Sequence, residues 1–405
     1  MLFVSVFVAK FVFDKQNIRS AVIVEVPIEA FSDNGKLIDE KWINYLKRQK
    51  PLGIIFFPEH FKDRNVSIKI ISEIKNILGK NTFFAVDEEG GMIQRIPWID
   101  IPSAMDVAKK YTELKREKNI IHARQYVRNV YAPMFKEMKE LGLNMNFAPN
   151  LDISFFNSAL NKDYAKAVKY MSISRMPLEK ISIQQMSSYN EAILFKSYLN
   201  EIKVRKLPTY EIQFESLWKN ADVKAKQKMQ QNFDKIKQYA NYAAVIGSRS
   251  FGHDPKIIAE VASIFMDVAN EYDIKYVVKH ALGHGRAIGD THQGQQIVNA
   301  SKEELLDHDM MPYRLLANKI KFVMPSHIVY SVIDDKPATV SKTVLDFFKE
   351  NVSKDVVFIS DDMSMAGADG IAESTCDILI ISHKSVDEIN QMHIKKIDIA
   401  KVDWI

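Results

Sequence analysis

The chain alternates short β-branched runs with stretches of helical periodicity, and this alternation limits its fold more than any other feature. The predicted strands are residues 20–26, 53–57, 83–87, 144–150, 276–280, 322–327, 356–362 and 378–382. Between them, stretches such as SIKIISEIKNIL and YAPMFKEMKELG place apolar residues three and four positions apart, which is typical of amphipathic helices. Because a closed parallel barrel needs eight strands, we predict an α/β fold, a single (β/α)8 TIM-type catalytic barrel within residues 1–405.

One long segment departs from this alternation. No glycine occurs between Leu143 and Ile246, and the strand pattern stops at about residue 154. We interpret residues 155–241 as a helical insertion after the fourth strand. Because βα loops open on the carboxyl face of a barrel, the insertion should lie near the active-site mouth. It could be a lid, a docking element or a solvated addition without function.

Composition and charge narrow the functional classes. The 55 basic and 51 acidic residues give a formal charge of +4, too small to indicate a nucleic-acid partner. The single cysteine, Cys376, excludes an intrachain disulfide and suits a reducing compartment, so we expect a cytoplasmic protein. The N-terminal MLFVSVFVAKFVF is too short to span a bilayer and lacks the basic start of a signal peptide. We therefore expect a buried or edge strand there and no membrane span. We also expect a monomer.

Polar residues end or directly follow five successive predicted strands, where a packed core would favour apolar residues or a turn. They are Asp87, Asn150, Asp152, Lys279, His280, His327, Asp361 and Asp362. In a βα barrel the carboxyl ends of the strands carry the chemistry, so these side chains should converge on one pocket.

The segment KHALGHGRAIGDTHQ holds three of the ten histidines. His280 and His284 are four residues apart, but the glycines that flank His284 disfavour a helical zinc pair. Asp290 and His292 lie two apart on a glycine-punctuated loop. A carboxylate beside an imidazole fixes its tautomer and raises its basicity, which suits general acid/base catalysis near neutral pH.

Several ordered segments resemble glycoside hydrolase family 3, in particular its single-barrel bacterial β-N-acetylglucosaminidases of cell-wall recycling. They are AVDEEGGMIQRI, LNMNFAPNLDI, IGSRSFGHDP, KHALGHGRAIGDTH, SHIVYSVIDDKPATVS and VVFISDDMSMAGA. They are distributed along most of the chain outside the insertion and the first ~20 residues, which makes the likeness more specific than one short motif.

The resemblance implies a role for individual residues. Asp361 matches the nucleophile that forms a covalent glycosyl-enzyme. His292 matches the acid/base residue, and Asp290 matches its partner in an acid/base dyad. Residues that would hold the hydroxyls and acetamide of N-acetylglucosamine are Asp87, Arg95, Arg249, Lys279 and His280. The family implies no metal and no organic cofactor. The expected function is therefore retaining exo-β-N-acetylglucosaminidase activity on peptidoglycan fragments, with a saccharide or muropeptide as substrate.

The sequence departs from the family pattern at two places. Ala281-Leu282 replaces the family's Phe-Pro, and Arg286-Ala287 replaces its Asp-Thr, which changes the stiffness and charge of the loop that carries Asp290 and His292.

Other functions are open to the same fold. The same barrel could serve a β-glucosidase or an N-acetylglucosaminide phosphorylase. A lyase using Lys279 as a Schiff-base amine is another possibility, and so is a non-catalytic homologue whose insertion docks a partner.

Overall fold

The computed structural model describes residues 17–154, 246–287, 291, 294–365 and 374–403. The chain divides into two units, the first formed by 1–153, 248–284 and 291–405 and the second by 154–247 and 285–290. The barrel lies in the first unit. The predicted insertion at 155–241 and the apolar N-terminal segment lie outside the described residues, so both remain predictions.

Eight parallel strands form a closed barrel, which confirms the predicted fold. They are β1 (Ile18–Val24), β2 (Pro51–Phe56), β3 (Phe83–Val86), β4 (Met145–Asn146), β5 (Lys275–Ala281), β6 (Phe322–Pro325), β7 (Val357–Asp362) and β8 (Ile378–Ile381). Each strand pairs with the next in this order, and β8 pairs with β1 to close the ring, with Val22 opposite Leu379. Every predicted strand overlaps one of these eight.

Helices connect the strands. They are α1 (Glu40–Gln49), α2 (Arg64–Leu78), α3 (Ala104–Glu117), α4 (Ile120–Leu141), α5 (Pro255–Glu271), α6 (Lys302–Glu304), α7 (Met311–Leu315), α8 (Lys342–Asn351) and α9 (Val386–Gln391). Side chains of Asp, Asn or Ser accept a backbone N–H at most of their amino ends, as Asp39 does from Trp42 and Asp63 does from Val66. Such caps satisfy donors that have no partner within the helix.

The barrel interior is filled by alternate residues of the strands. It comprises Ala21, Ile23, Leu52, Ile55, Phe83, Ala85, Met145, Phe147, Val277, Phe322, Met324, Val357, Ile359, Ile378 and Ile380. The intervening residues Val22 and Val24 are fully buried as well, because the helices cover the outer face of a parallel sheet. Burial on both faces explains why the strands are nearly continuous apolar runs.

Among the described residues, three further strands lie outside the parallel ring, and the sequence patterns did not predict them. Lys396–Asp398 pairs antiparallel with β1, while Gln296–Val298 and Ile328–Tyr330 form a separate parallel pair. Among the described helices, none is both long and apolar enough to cross a bilayer.

Candidate active site

A buried ionic cluster joins the ends of β3 and β5. Lys279, near the end of β5, places Nζ 2.6 Å from Asp87 Oδ1 and 2.7 Å from Glu89 Oε1. Arg249 binds both oxygens of Glu89, donating from Nη2 at 2.7 Å and from Nε at 3.0 Å. The structure therefore brings together three of the predicted substrate-binding residues, Asp87, Arg249 and Lys279. Glu89, which the sequence analysis did not single out, joins them.

In this cluster, burial disfavours the ionised form of each side chain, while the neighbouring opposite charges favour it. Burial disfavours ionisation of Glu89, but Arg249 and Lys279 outweigh it and hold the pKa of the carboxyl well below its usual value. Burial likewise disfavours the charged Lys279, yet Asp87 and Glu89 raise the pKa of its amine. Charges desolvated this far are stable only as a paired set. The cluster is therefore a fixed array of charges at the carboxyl end of the barrel.

Glu88 organises the loop that follows β3. Its Oε2 accepts the backbone N–H groups of Arg95 and Ile96 at 2.8 and 3.0 Å. Its own backbone exchanges two hydrogen bonds with the Asn146 amide, at 3.0 and 2.8 Å. The backbone of Arg95, another predicted substrate-binding residue, is thus held beside the end of β3, and its side chain is half-buried.

Glu88 should make stability depend on pH. Burial raises its pKa from an ordinary 4.5 to about 7, although hydrogen bonds from Arg95 and Ile96 oppose the rise. Between these values the unfolded chain releases the proton and the folded chain keeps it, so stability falls as pH rises through this window. Glu88→Gln removes that slope. We expect its unfolding free energy to rise relative to wild type by on the order of 2 kcal/mol between pH 5 and 8. Urea unfolding of both proteins measures this, and parallel pH profiles would contradict it.

Asp152 is the centre of a second buried group. It lies beyond β4 and is fully buried. Its carboxylate accepts a hydrogen bond from Nδ1 of the His280 ring at 2.6 Å and another from the His284 backbone N–H at 2.7 Å. Burial opposes ionisation, but the charge and hydrogen bonds of His280 outweigh it and lower the pKa of Asp152. Asp152 therefore fixes the ring of His280, the remaining predicted substrate-binding residue, and the chain beyond it.

The first sequence departure has a direct structural consequence. Leu282 stands where the family pattern has proline, and its N–H donates to Tyr330 Oη at 2.9 Å. Tyr330 in turn donates to the Gly283 carbonyl at 3.1 Å and lies 3.0 Å from Ser326 Oγ. A proline has no N–H and could not make the first bond. In this chain a hydrogen bond to Tyr330, in the strand Ile328–Tyr330, thus takes the place of the stiffness that a proline ring would give. The sequence did not reveal this contact.

The predicted nucleophile lies at the end of β7. Asp361 Oδ1 accepts the N–H of Asp362 at 2.9 Å, and the Asp361 side chain is partly exposed. The Asp362 carboxylate instead accepts the N–H groups of Ser364 and Ser382 and the Ser382 hydroxyl. His327, buried beyond β6, contacts the Asp362 carbonyl at 3.0 Å. Asp362 therefore holds the strand end, and the role of Asp361 as nucleophile remains a prediction.

The predicted acid/base residues Asp290 and His292 lie outside the described residues, and their roles remain predictions. Thr291, between them, is described and buried. Within the described ranges, no three His, Cys, Asp or Glu side chains group in a way that could hold a metal ion.

Comparisons with known proteins point to the family that the sequence resembles. Residues 235–379 match the Glycosyl hydrolase family 3 N terminal domain model. A Beta-hexosaminidase of Tolumonas auensis is 36% identical over 127 residues, which cover 31% of this chain and 38% of the relative. A Beta-hexosaminidase of Glaesserella parasuis is 28% identical over 166 residues, 38% of this chain and 49% of the relative. The chain thus spans less than half the length of these curated relatives.

Solved structures share the fold over most of the chain. The crystal structure of NagZ from Neisseria gonorrhoeae in complex with N-trifluoroacetyl-D-glucosamine superimposes with a TM-score of 0.62. It is 22% identical and covers 94% of this chain and 88% of that one. The M tuberculosis LpqI structure gives a TM-score of 0.56 at 19% identity and covers 91% and 83% of the two chains. Residues 235–379 thus match the family that the motifs resemble, and the solved structures share the barrel fold.

Proposed function

We propose that this chain is a retaining exo-β-N-acetylglucosaminidase that releases terminal β-linked N-acetylglucosamine from peptidoglycan fragments. We place it in the cytoplasm, as a monomer acting in cell-wall recycling. The 155–241 insertion would lie near the active-site mouth. Support comes from the family match, from relatives named Beta-hexosaminidase, and from the charged groups at the strand ends.

The observation that carries the proposal is the position of Asp361. This carboxylate ends a barrel strand within the segment that matches the family model, and the neighbouring Asp362 is occupied with backbone N–H groups. Retention requires one carboxylate nucleophile at the anomeric carbon and one proton donor at the leaving oxygen. Asp361 would attack the anomeric carbon and form a glycosyl-aspartate.

The proton would come from His292, paired with Asp290. The imidazolium protonates the departing oxygen as Asp361 attacks, and the neutral imidazole then accepts a proton from the incoming water. Asp290 would stabilise the imidazolium. Water attacks the glycosyl-aspartate, so the sugar leaves with its original anomeric configuration.

The ionic cluster would bind the sugar. Asp87, Lys279 and Arg249 offer charged hydrogen-bonding groups on a preformed frame, and charged groups bind hydroxyls more strongly than neutral ones. Arg95 and His280 would complete the set that receives the hydroxyls and the acetamide. Since the frame is already paired and buried, little reorganisation is needed when substrate enters.

The rival functions differ in product. A β-glucosidase would prefer glucosides, and a phosphorylase would transfer the sugar to phosphate. A Schiff-base lyase needs a neutral amine, but the carboxylates around Lys279 raise its pKa and favour the ammonium. A docking homologue would turn over no glycoside at all.

Product analysis tests the proposal. Incubated with 4-nitrophenyl N-acetyl-β-glucosaminide, the full chain should release free N-acetylglucosamine at the same rate with and without phosphate. The corresponding glucoside should be a poor substrate. Formation of the sugar 1-phosphate would indicate the phosphorylase, and trapping by borohydride with a carbonyl substrate would indicate the lyase. No turnover of this substrate or of a muropeptide by folded protein would contradict the proposed activity.

A further inference from the structure

The ring of His280 gives one nitrogen to Asp152 and leaves the other for a ligand. Its Nδ1 donates to the buried Asp152 carboxylate at 2.6 Å, and its backbone N–H donates to the same carboxylate at 3.2 Å. Because Nδ1 is occupied, Nε2 is the ring atom that could bind a sugar hydroxyl. The place of Nε2 then depends on the path of the chain at His280 and just beyond it.

The chain turns directly after His280, through residues 281–284. The Gly283 N–H donates to the His280 carbonyl at 2.8 Å, and the His284 N–H donates to Asp152 at 2.7 Å. The 281–284 turn and the His280 ring therefore share one carboxylate and are joined by a backbone hydrogen bond. A shift of the turn would move the ring with it.

Tyr330 holds the middle of the 281–284 turn. Its hydroxyl accepts the Leu282 N–H at 2.9 Å and donates to the Gly283 carbonyl at 3.1 Å. Ser326 Oγ lies 3.0 Å from the same hydroxyl, and the Ser326 backbone N–H donates to the Ala281 carbonyl at 2.8 Å. The segment that follows β6 thus fixes three successive residues of the turn.

Tyr330 can act only through the turn. The residue is 0% exposed, so a ligand that enters from solvent does not touch it. Burial raises the pKa of its hydroxyl well above the usual range, so the group keeps its proton and stays a donor to Gly283. A sealed hydroxyl of this kind holds backbone in place and takes no part in proton transfer.

We propose that Tyr330 is a positioning residue for sugar binding, with its hydroxyl fixing the 281–284 turn and thereby the place of His280 Nε2. The inference rests on the proposed function, in which His280 receives a hydroxyl or the acetamide of the sugar. The hydroxyl is the essential group, because it is the atom that binds the Leu282 N–H and the Gly283 carbonyl. Its loss should weaken binding and spare the chemical step.

The test is a double-mutant cycle. Tyr330→Phe keeps the ring and should raise KM for 4-nitrophenyl N-acetyl-β-glucosaminide about tenfold, with kcat within about twofold of wild type. The inhibition constant of N-acetylglucosamine should rise by the same factor. His280→Asn keeps a donor for Asp152 but has no atom in place of Nε2. In that background Tyr330→Phe should raise KM by less than about twofold, because the ring that it positions is gone.

Two further variants control the cycle. Tyr45→Phe is the matched control, because Tyr45 is a buried tyrosine of α1 whose hydroxyl has no hydrogen-bond partner within the described ranges. It should keep the KM and kcat of wild type. Ser326→Ala removes the support of the Tyr330 hydroxyl and should raise KM about threefold, which tests the same claim if Tyr330→Phe does not fold. A wild-type KM in Ser326→Ala would then overturn the proposal.

The outcomes separate the positioning role from the proposed function. If wild type cleaves the glycoside and Tyr330→Phe matches its KM, the positioning role is wrong and the proposed function stands. An equal rise in KM with and without His280→Asn would also overturn it, since the hydroxyl would then act independently of His280. A loss confined to kcat would overturn it too, because it would point to the chemical step. If wild type cleaves no N-acetylglucosaminide, the proposed function fails and this inference fails with it.

Discussion

Asp361→Ala should abolish the hydrolysis of 4-nitrophenyl N-acetyl-β-glucosaminide, with kcat reduced on the order of 10⁴-fold or more. The variant has no carboxylate to attack the anomeric carbon, so the covalent route is closed. The loss should appear in kcat, because the groups that would bind the ground state remain. Steady-state kinetics with protein of verified fold, judged by circular dichroism and melting temperature, measures it.

Asp355→Ala is the matched control for Asp361→Ala. Asp355 is an exposed aspartate just before β7, at the opposite end of the same strand. This control should keep wild-type activity and stability. Turnover that survives in Asp361→Ala would mean that another group is the nucleophile. Equal losses in both variants would point to damage to the strand.

Lys279→Met should both destabilise the protein and disable the site. Lys279 is 2% exposed, and its removal leaves Asp87 and Glu89 without their shared cation. Breaking a buried ion pair from one side costs about 3–5 kcal/mol of unfolding free energy. Loss of a charged hydrogen-bond donor to substrate should also lower kcat/KM by about 10²-fold. Urea unfolding and steady-state kinetics measure the two effects.

A second substitution separates charge from packing. Asp87→Asn added to Lys279→Met removes one unbalanced carboxylate, while Glu89 keeps Arg249 as its partner. We expect the double variant to regain much of the lost stability and none of the activity. Lys321→Met, at a half-buried lysine just before β6 whose ion pair with Asp403 is exposed on the Asp403 side, should change stability by less than about 0.5 kcal/mol. A Lys279→Met protein as stable as wild type would show that the cluster contributes no net stability.

The sequence was most informative about the barrel strands. Continuous apolar runs such as β1 are buried on both faces, and a run of that kind is conspicuous in any sequence. The predicted strand at 144–150 is reduced to Met145–Asn146. Pro149, which lies in the rest of that run, cannot donate to a neighbouring strand. Strand length depends on such backbone pairing, which periodicity alone does not encode.

The site was predicted in part, and for a physical reason. Asp87, Lys279 and Asp361 could be identified because strand ends are set by local pattern and converge in any parallel barrel. The Arg249–Glu89 pair is buried and joins residues 160 positions apart, which no local pattern in the sequence links. Tyr330 was missed because a hydroxyl that anchors a distant loop leaves no periodic signal.

The most direct test of the central claim is covalent capture of the sugar on Asp361. A 5-fluoro N-acetylglucosaminyl fluoride reacts with a retaining enzyme, and its ring fluorine slows hydrolysis of the intermediate. Intact-mass spectrometry should show the gain of one sugar per chain, and digestion should place it on the peptide that contains Asp361. A sugar on a different carboxylate, or hydrolysis of the fluoride by active protein without any labelled chain, would contradict the account.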